Sequence, residues 1–159
     1  MKSALQLNGD SGEARLLLGK VLLESGDFAG AEVELRRALD LKQSEDIVAP
    51  MLATALVGQG KGAAALQLFG KTTLKDPKSD AVLKTRLAEA EAMGGKPDVA
   101  LAILDAVLKA APDNARAHVL HARLTAAKGD LPAAMARLDE LIKADPNQAE
   151  AFLVKGDLL

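Results

Sequence analysis

Residues 12–45 read GEARLLLGKVLLESGDFAGAEVELRRALDLKQSE, two amphipathic helices joined by a tight turn. The first spans roughly residues 11–25 and the second roughly residues 28–41. Gly26-Asp27 separates them, because glycine tolerates the left-handed conformation in which many helices end. Small residues stand where the two helices are expected to cross: Gly19 and Gly26 on one, Ala31 and Ala38 on the other. Small side chains let helix axes approach toward the lower end of the usual range of about 8–10 Å.

The rest of the chain repeats this unit. Gly26, Gly60, Gly95 and Gly129 fall at the inter-helix turn, spaced by 34, 35 and 34 residues. Ala31, Ala65, Ala100 and Ala134 keep the same spacing, as do Leu35, Phe69, Leu104 and Leu138. Gly19, Ala53, Ala88, Ala122 and Gly156 mark the small position of each first helix. Pro77, Pro112 and Pro146 close three units, as expected just after a helix end. Five position classes in one register predict an all-α solenoid of antiparallel helix pairs.

A unit of 34 residues with L-G, then G-D-F-x-x-A, then A-L, then D-P resembles the tetratricopeptide repeat. The likeness covers the entire chain. It departs from the family pattern in its large aromatics: there is no Trp, no Tyr and only three Phe. The runs SGEARLLLGKVLLESGDFAGAEVELRRAL and NQAEAFLVKGDLL further resemble the tetratricopeptide lipoproteins that accompany the PEP-CTERM sorting and exopolysaccharide system of Gram-negative bacteria. That resemblance implies a periplasmic or outer-membrane-associated setting.

Composition limits the function classes. With 49% hydrophobic and 26% charged residues the chain reads as globular. No apolar run approaches the roughly 18 residues of a membrane helix. A net charge of −2 and the lack of a basic stripe exclude nucleic acid as the expected partner. The absence of cysteine excludes disulfides, thiolate metal sites and thiol catalysis.

In chain order, residues 1–11 read as the tail of a preceding repeat, with Met1, Ala4, Leu5 and Leu7 in second-helix register. Repeat one is 12–45, repeat two 46–80, repeat three 81–114 and repeat four 115–148; residues 149–159 read as the first helix of a fifth. In repeat two the helices are expected near 47–57 and 63–74, with Pro50 near the first turn, where a missing N–H is tolerated. Thr72 and Thr73 make this the softest unit by propensity. In repeat three the helices are expected from 81 to 93 and from Pro97 onward, with the extra residue near 78–80 in the loop. A cut repeat at each end predicts an excerpt of a longer array, whose apolar ends pair two copies.

Chemistry-bearing residues are few. His118 and His121 lie three apart on one helix face, which admits a metal pair and, as a remote alternative, a metal-dependent enzyme. No third ligand accompanies them, and His121 occupies the inward position of Leu18, Leu52 and Leu87, so packing is the expected role. Glu91 stands where repeats one and two have leucine; it is expected to reach solvent or pair with a lysine or arginine. Gly94-Gly95 reads as a helix terminus, and Arg36-Arg37 as a solvated face.

No catalytic, cofactor or metal site is therefore expected, and the expected function is non-catalytic binding of a protein or peptide. The family resemblance places the concave surface on the first helices. In register, that face carries Leu16, Lys20, Pro50, Met51, Thr54, Thr85, Arg86, Glu89, Val119, Arg123 and Leu153. Its apolar middle and dispersed charges of both signs suit an extended peptide or a partner helix. The family's lysine–asparagine clamp for acidic chaperone tails is missing, since Leu16, Lys20, Pro50 and Thr54 hold those places. A scaffold of the envelope system and a generic cytoplasmic adaptor both remain open at this point.

Overall fold

The computed structural model describes residues 11–159; the expected second-helix tail in residues 1–8 lies outside the described residues. Nine helices and no strand occur among the described residues. They are α1 (Gly12–Glu24), α2 (Phe28–Asp40), α3 (Glu45–Gly58), α4 (Gly62–Phe69), α5 (Pro77–Met93), α6 (Pro97–Ala110), α7 (Ala115–Ala127), α8 (Leu131–Ala144) and α9 (Ala149–Asp157). They pair as α1/α2, α3/α4, α5/α6 and α7/α8, with α9 opening the next unit.

The periodic glycines have one cause. Gly26, Gly60, Gly95 and Gly129 all have positive φ, between 75° and 97°. At each, the glycine N–H and the following N–H reach back to carbonyls of the helix that is ending, as in Gly26 N to Leu23 O and Asp27 N to Leu22 O. This paired 5→2 and 6→1 closure satisfies carbonyls the helix leaves free, and it needs a left-handed residue. Asp27 and Asp130 then cap the next helix, accepting from Gly30 N and Ala133 N. Gly26 is not a crossing residue: a Cβ there would meet nothing within 4 Å. Gly19 is one, since a Cβ would lie 2.7 Å from Leu35 Cγ.

Repeat two departs from the expected boundaries. The helix expected over 63–74 ends at Phe69, after eight residues. Thr72 and Thr73 stand where α2 and α6 carry Ala38-Leu39 and Val107-Leu108, and Lys61 supplies no side-chain cap. The chain after α4 is tied down instead: Asp46 Oδ1 accepts from Lys75 N at 2.8 Å, Asp80 Oδ1 accepts from Leu74 N at 2.8 Å, and Lys84 Nζ donates to Thr72 O at 2.6 Å. The extra residue is not in a loop. It is absorbed in α5, which starts at Pro77, capped by Asp76 accepting from Ser79 N at 2.8 Å. Pro77 thus opens a helix, where its missing N–H costs nothing. Pro50 lies in the second turn of α3, not the first, and is buried.

The stacking is neighbour-only. Among the described residues, α2, α4, α6 and α8 touch first helices and never one another. The first helices α1, α3, α5, α7 and α9 touch in succession. A stack whose one layer is in mutual contact and whose other layer is splayed curves toward the contacting layer, so the first helices form the inner face. The core follows this order in three clusters: around α2–α5, around α5–α7 and around α7–α9.

Candidate functional site: the inner helix face

The inner face is the exposed side of the successive first helices. Of the positions expected there, Pro50, Thr85 and Val119 are buried. They fall on the line along which consecutive first helices touch, so they are core. The Thr85 hydroxyl donates to Ala81 O at 2.7 Å, and that of Thr54 to Pro50 O at 2.8 Å. Leu16, Met51, Thr54, Arg86 and Glu89 are partly buried, while Lys20, Arg123 and Leu153 are exposed.

The face changes character along its length. Toward the N-terminal end it is apolar, with Leu17, Ile47 and Val82 exposed beside Met51. Toward the C-terminal end it is a ladder of charge across three helices. Arg86 Nη1 meets Glu89 Oε2 at 3.0 Å on α5. Arg116 of α7 reaches back to Glu89 Oε1 at 3.1 Å and forward to Glu150 Oε1 of α9 at 2.8 Å. Each half-exposed pair contributes about 0–1 kcal/mol, so the ladder matters more for holding the guanidinium planes in place. A dimple of ≈ 30 Å³ lies beside it, lined by Glu89, Arg116, Val119, Leu120, Arg123 and Glu150.

Arg116 and Glu150 were missed by the sequence reading. The signal was present: they are 34 residues apart, equivalent positions of adjacent repeats with opposite charge.

The histidines lie elsewhere, on the seam where α6, α7 and α8 meet. His118 Nε2 donates to Pro112 O at 2.8 Å and its Nδ1 accepts from Arg137 at 3.2 Å. His121 Nε2 donates to Asp105 Oδ1 at 3.1 Å, and its Nδ1 shares a hydrogen bond with the Thr125 hydroxyl at 3.1 Å, which that hydroxyl can give or accept. Pro112 O and Arg137 assign His118 to the Nε2–H tautomer, and all four nitrogens are engaged within the protein. Among the described residues no three His, Asp or Glu are grouped to hold a metal. Glu91 pairs with Lys96 at 3.5 Å.

The tetratricopeptide repeat family profile matches residues 1–55, 56–124 and 92–158. The chain belongs to the tetratricopeptide repeat family. Its arrays serve as protein-interaction scaffolds that take peptide or protein partners, and that coarse function applies here. No curated protein matches the sequence. Among solved structures the chain is similar to YrrB, a tetratricopeptide protein with an unusual peptide-binding site, at 24% identity over 98% of this chain and 79% of that one, with a TM-score of 0.69. It is similar to the Cut9–Hcn1 hetero-tetramer of APC/C at 21% identity over 99% of this chain and 32% of that one, TM-score 0.78. TTC0263, a thermophilic tetratricopeptide protein of Thermus thermophilus, matches at 19% identity over 93% and 81%, TM-score 0.73. At these identities the likeness concerns the tetratricopeptide fold alone.

Proposed function

We propose that the inner face binds an extended peptide or a partner helix, with apolar side chains against α1–α5 and polar ones against the Arg86–Glu150 ladder. The observation carrying this is the continuous inner layer: among the described residues the first helices touch one another in succession while the second helices do not, so the first helices present the unbroken surface. The apolar Leu17, Ile47, Met51 and Val82 give affinity and the ladder gives register. The test is a photocrosslinker at Met51 or Arg86, compared with one at Val33, an exposed apolar position of the splayed layer. Discrete partner adducts from Met51 and Arg86, absent from Val33, are expected. Equal labelling from Val33 would remove the proposal.

The envelope assignment rests on the phrase-level likeness of two runs, and a generic adaptor fits the same surface equally. The full reading frame decides: a signal sequence ending in a lipid-modified cysteine ahead of these residues selects the envelope scaffold. Pairing of two copies is a further proposal, supported by the exposed Phe152 and Leu153 of α9. A strict monomer by light scattering at high concentration removes it.

A further inference from the structure

In two repeats, side chains 19 residues apart bond across the cleft between paired helices. In repeat one Arg15 Nη1 meets Glu34 Oε2 at 2.7 Å, and in repeat four Arg137 Nη1 donates to His118 Nδ1 at 3.2 Å. In the same register repeat two has Ala49 and Leu68, without charge, and repeat three has Lys84 and Ile103. Lys84 therefore has isoleucine where repeat one supplies a carboxylate. Its ammonium donates instead to Thr72 O at 2.6 Å, a carbonyl and not a counter-ion. Two cavities open at this pair, and Lys84 and Ile103 line both. One, of ≈ 340 Å³, lies between α4 and α6 over α5, with Leu66 and Leu87 as apolar lining and Lys71 and Glu91 beside them. The other, of ≈ 320 Å³, lies between α5 and α6, along Pro77, Ala81, Ala106 and Val107, with Asp80. Together they follow α5 from Glu91 to Pro77, about 21 Å at 1.5 Å per residue.

We propose that this outer cleft between α4 and α6 docks an amphipathic helix of a partner protein, whose apolar face covers Leu66, Ile103 and Ala106 and whose carboxylate pairs with Lys84 and Lys71. Charge selects the acid. Four charged side chains line the cleft. The two carboxylates are engaged, Asp80 by Leu74 N and Glu91 by Lys96. Neither lysine has an ion-pair partner among the described residues. Backbone satisfaction selects the helix. The walls are helices, whose own N–H and C=O groups are bonded along their length, and the lining carries few polar side chains. An extended peptide would bury unpaired backbone groups there, whereas a helix arrives with its own satisfied. The cleft belongs to the outer layer, so this reading and the inner-face reading can fail separately.

The probe is a lactam-stapled helix of about 15 residues, matched to the length of the cleft. It carries leucine at i, i+4, i+7 and i+11 and glutamate at the flanking positions, and is titrated into the whole chain with amide NMR as the readout. Saturable shifts in α4–α6 are expected, with Met51 and Arg86 of the inner face unmoved. A twin peptide with lysine for each glutamate is expected to bind at least about tenfold more weakly. Ile103→Glu gives repeat three the pairing of repeat one, engages Lys84 internally and is expected to weaken the acidic helix by about the same factor. Should that variant fail to fold, Lys71→Glu, at an exposed position, is expected to weaken it too and to favour the lysine twin. Equal binding of the two peptides, or shifts centred on Met51 and Arg86, overturns the proposal. So does the absence of shifts in α4–α6 at about 1 mM peptide, where a Kd of that order half-fills the site. Shifts that track protein concentration without peptide make a second copy the occupant, and the same shifts from decanoate make it a small apolar acid; either overturns the proposal.

Discussion

Glu32 of α2 ties three other side chains together on the outer layer. Its carboxylate accepts from Arg36 on its own helix, and from Gln59 and Lys61 at the turn after α3. The side chain is 14% exposed. The Lys61 ammonium bonded to it draws the carboxyl down to about 2; burial pushes it up, and Gln59 and Arg36 add to the lowering. A depressed carboxylate contributes stability above its ordinary value of 4.5, lost as pH falls from there toward 2. Glu32→Gln is expected to cost roughly 1–2 kcal/mol at pH 7, less than the full shift implies because Lys61 and Arg36 lie half in solvent. Urea melts at pH 7 and pH 2.5 check this: the gap between wild type and variant should nearly close at the lower pH. Gly19 is the apolar counterpart. A Cβ there forces Leu35 aside, so Gly19→Ala should destabilise by about 1–3 kcal/mol despite its better helix propensity. That Gly19 marks a crossing was legible from its period. The hub at Glu32 was not, since Leu66, Leu101 and Met135 hold its place in the other repeats and Gln59 has no counterpart there, so the cluster leaves no periodic trace.

At the scale of the element, helix ends decide what the register leaves open. The four glycine closures were readable because each needs a residue with positive φ, and only glycine takes it without cost. The end of α2 uses the same closure with the wrong residue. Lys42 N bonds Leu39 O, Gln43 N bonds Ala38 O, and Lys42 carries φ 63°. Lys42-Gln43 stands where other units carry Asp-Pro, yet the closure is formed, with a strained lysine at its centre. Lys42→Gly should therefore raise stability by about 1 kcal/mol, seen as a higher urea midpoint with unchanged slope. No rise would mean that the Lys42 stem packs usefully. The end of α4 and the start of α5 differ from the expected ones for a related reason. Thr72 and Thr73 only weaken helix propensity, and the stop at Phe69 comes from tertiary capture of the following segment by Asp46, Asp80 and Lys84. Likewise D-P reads from the repeat pattern as a closing phrase, while at Asp76-Pro77 it is an N-cap followed by the first helical residue.

At the scale of the molecule, contacts join only neighbours, so stability is a sum over adjacent units and need not be uniform. The largest core cluster surrounds α3, where Val48, Leu52 and Leu56 are fully buried. The clusters around α6 and α8 hold fewer buried side chains, and α4 contributes one short helix to the first. The period made this architecture visible; its gradation was not, because it depends on which periodic positions hold large side chains against alanine. Hydrogen-exchange protection is accordingly expected to peak in α3 and decline toward α8. Two cavities separate this from ordinary cooperative folding. Leu52→Ala and Leu138→Ala each remove a fully buried leucine, a loss of about 2–5 kcal/mol where the site cannot collapse. In a neighbour-coupled array Leu138→Ala lowers protection in α7–α9 and leaves α1–α3 nearly unchanged, whereas Leu52→Ala lowers it across α2–α5. If both variants lower protection equally in every helix, with coincident transitions by all probes, the chain folds as one two-state unit and the additive picture fails.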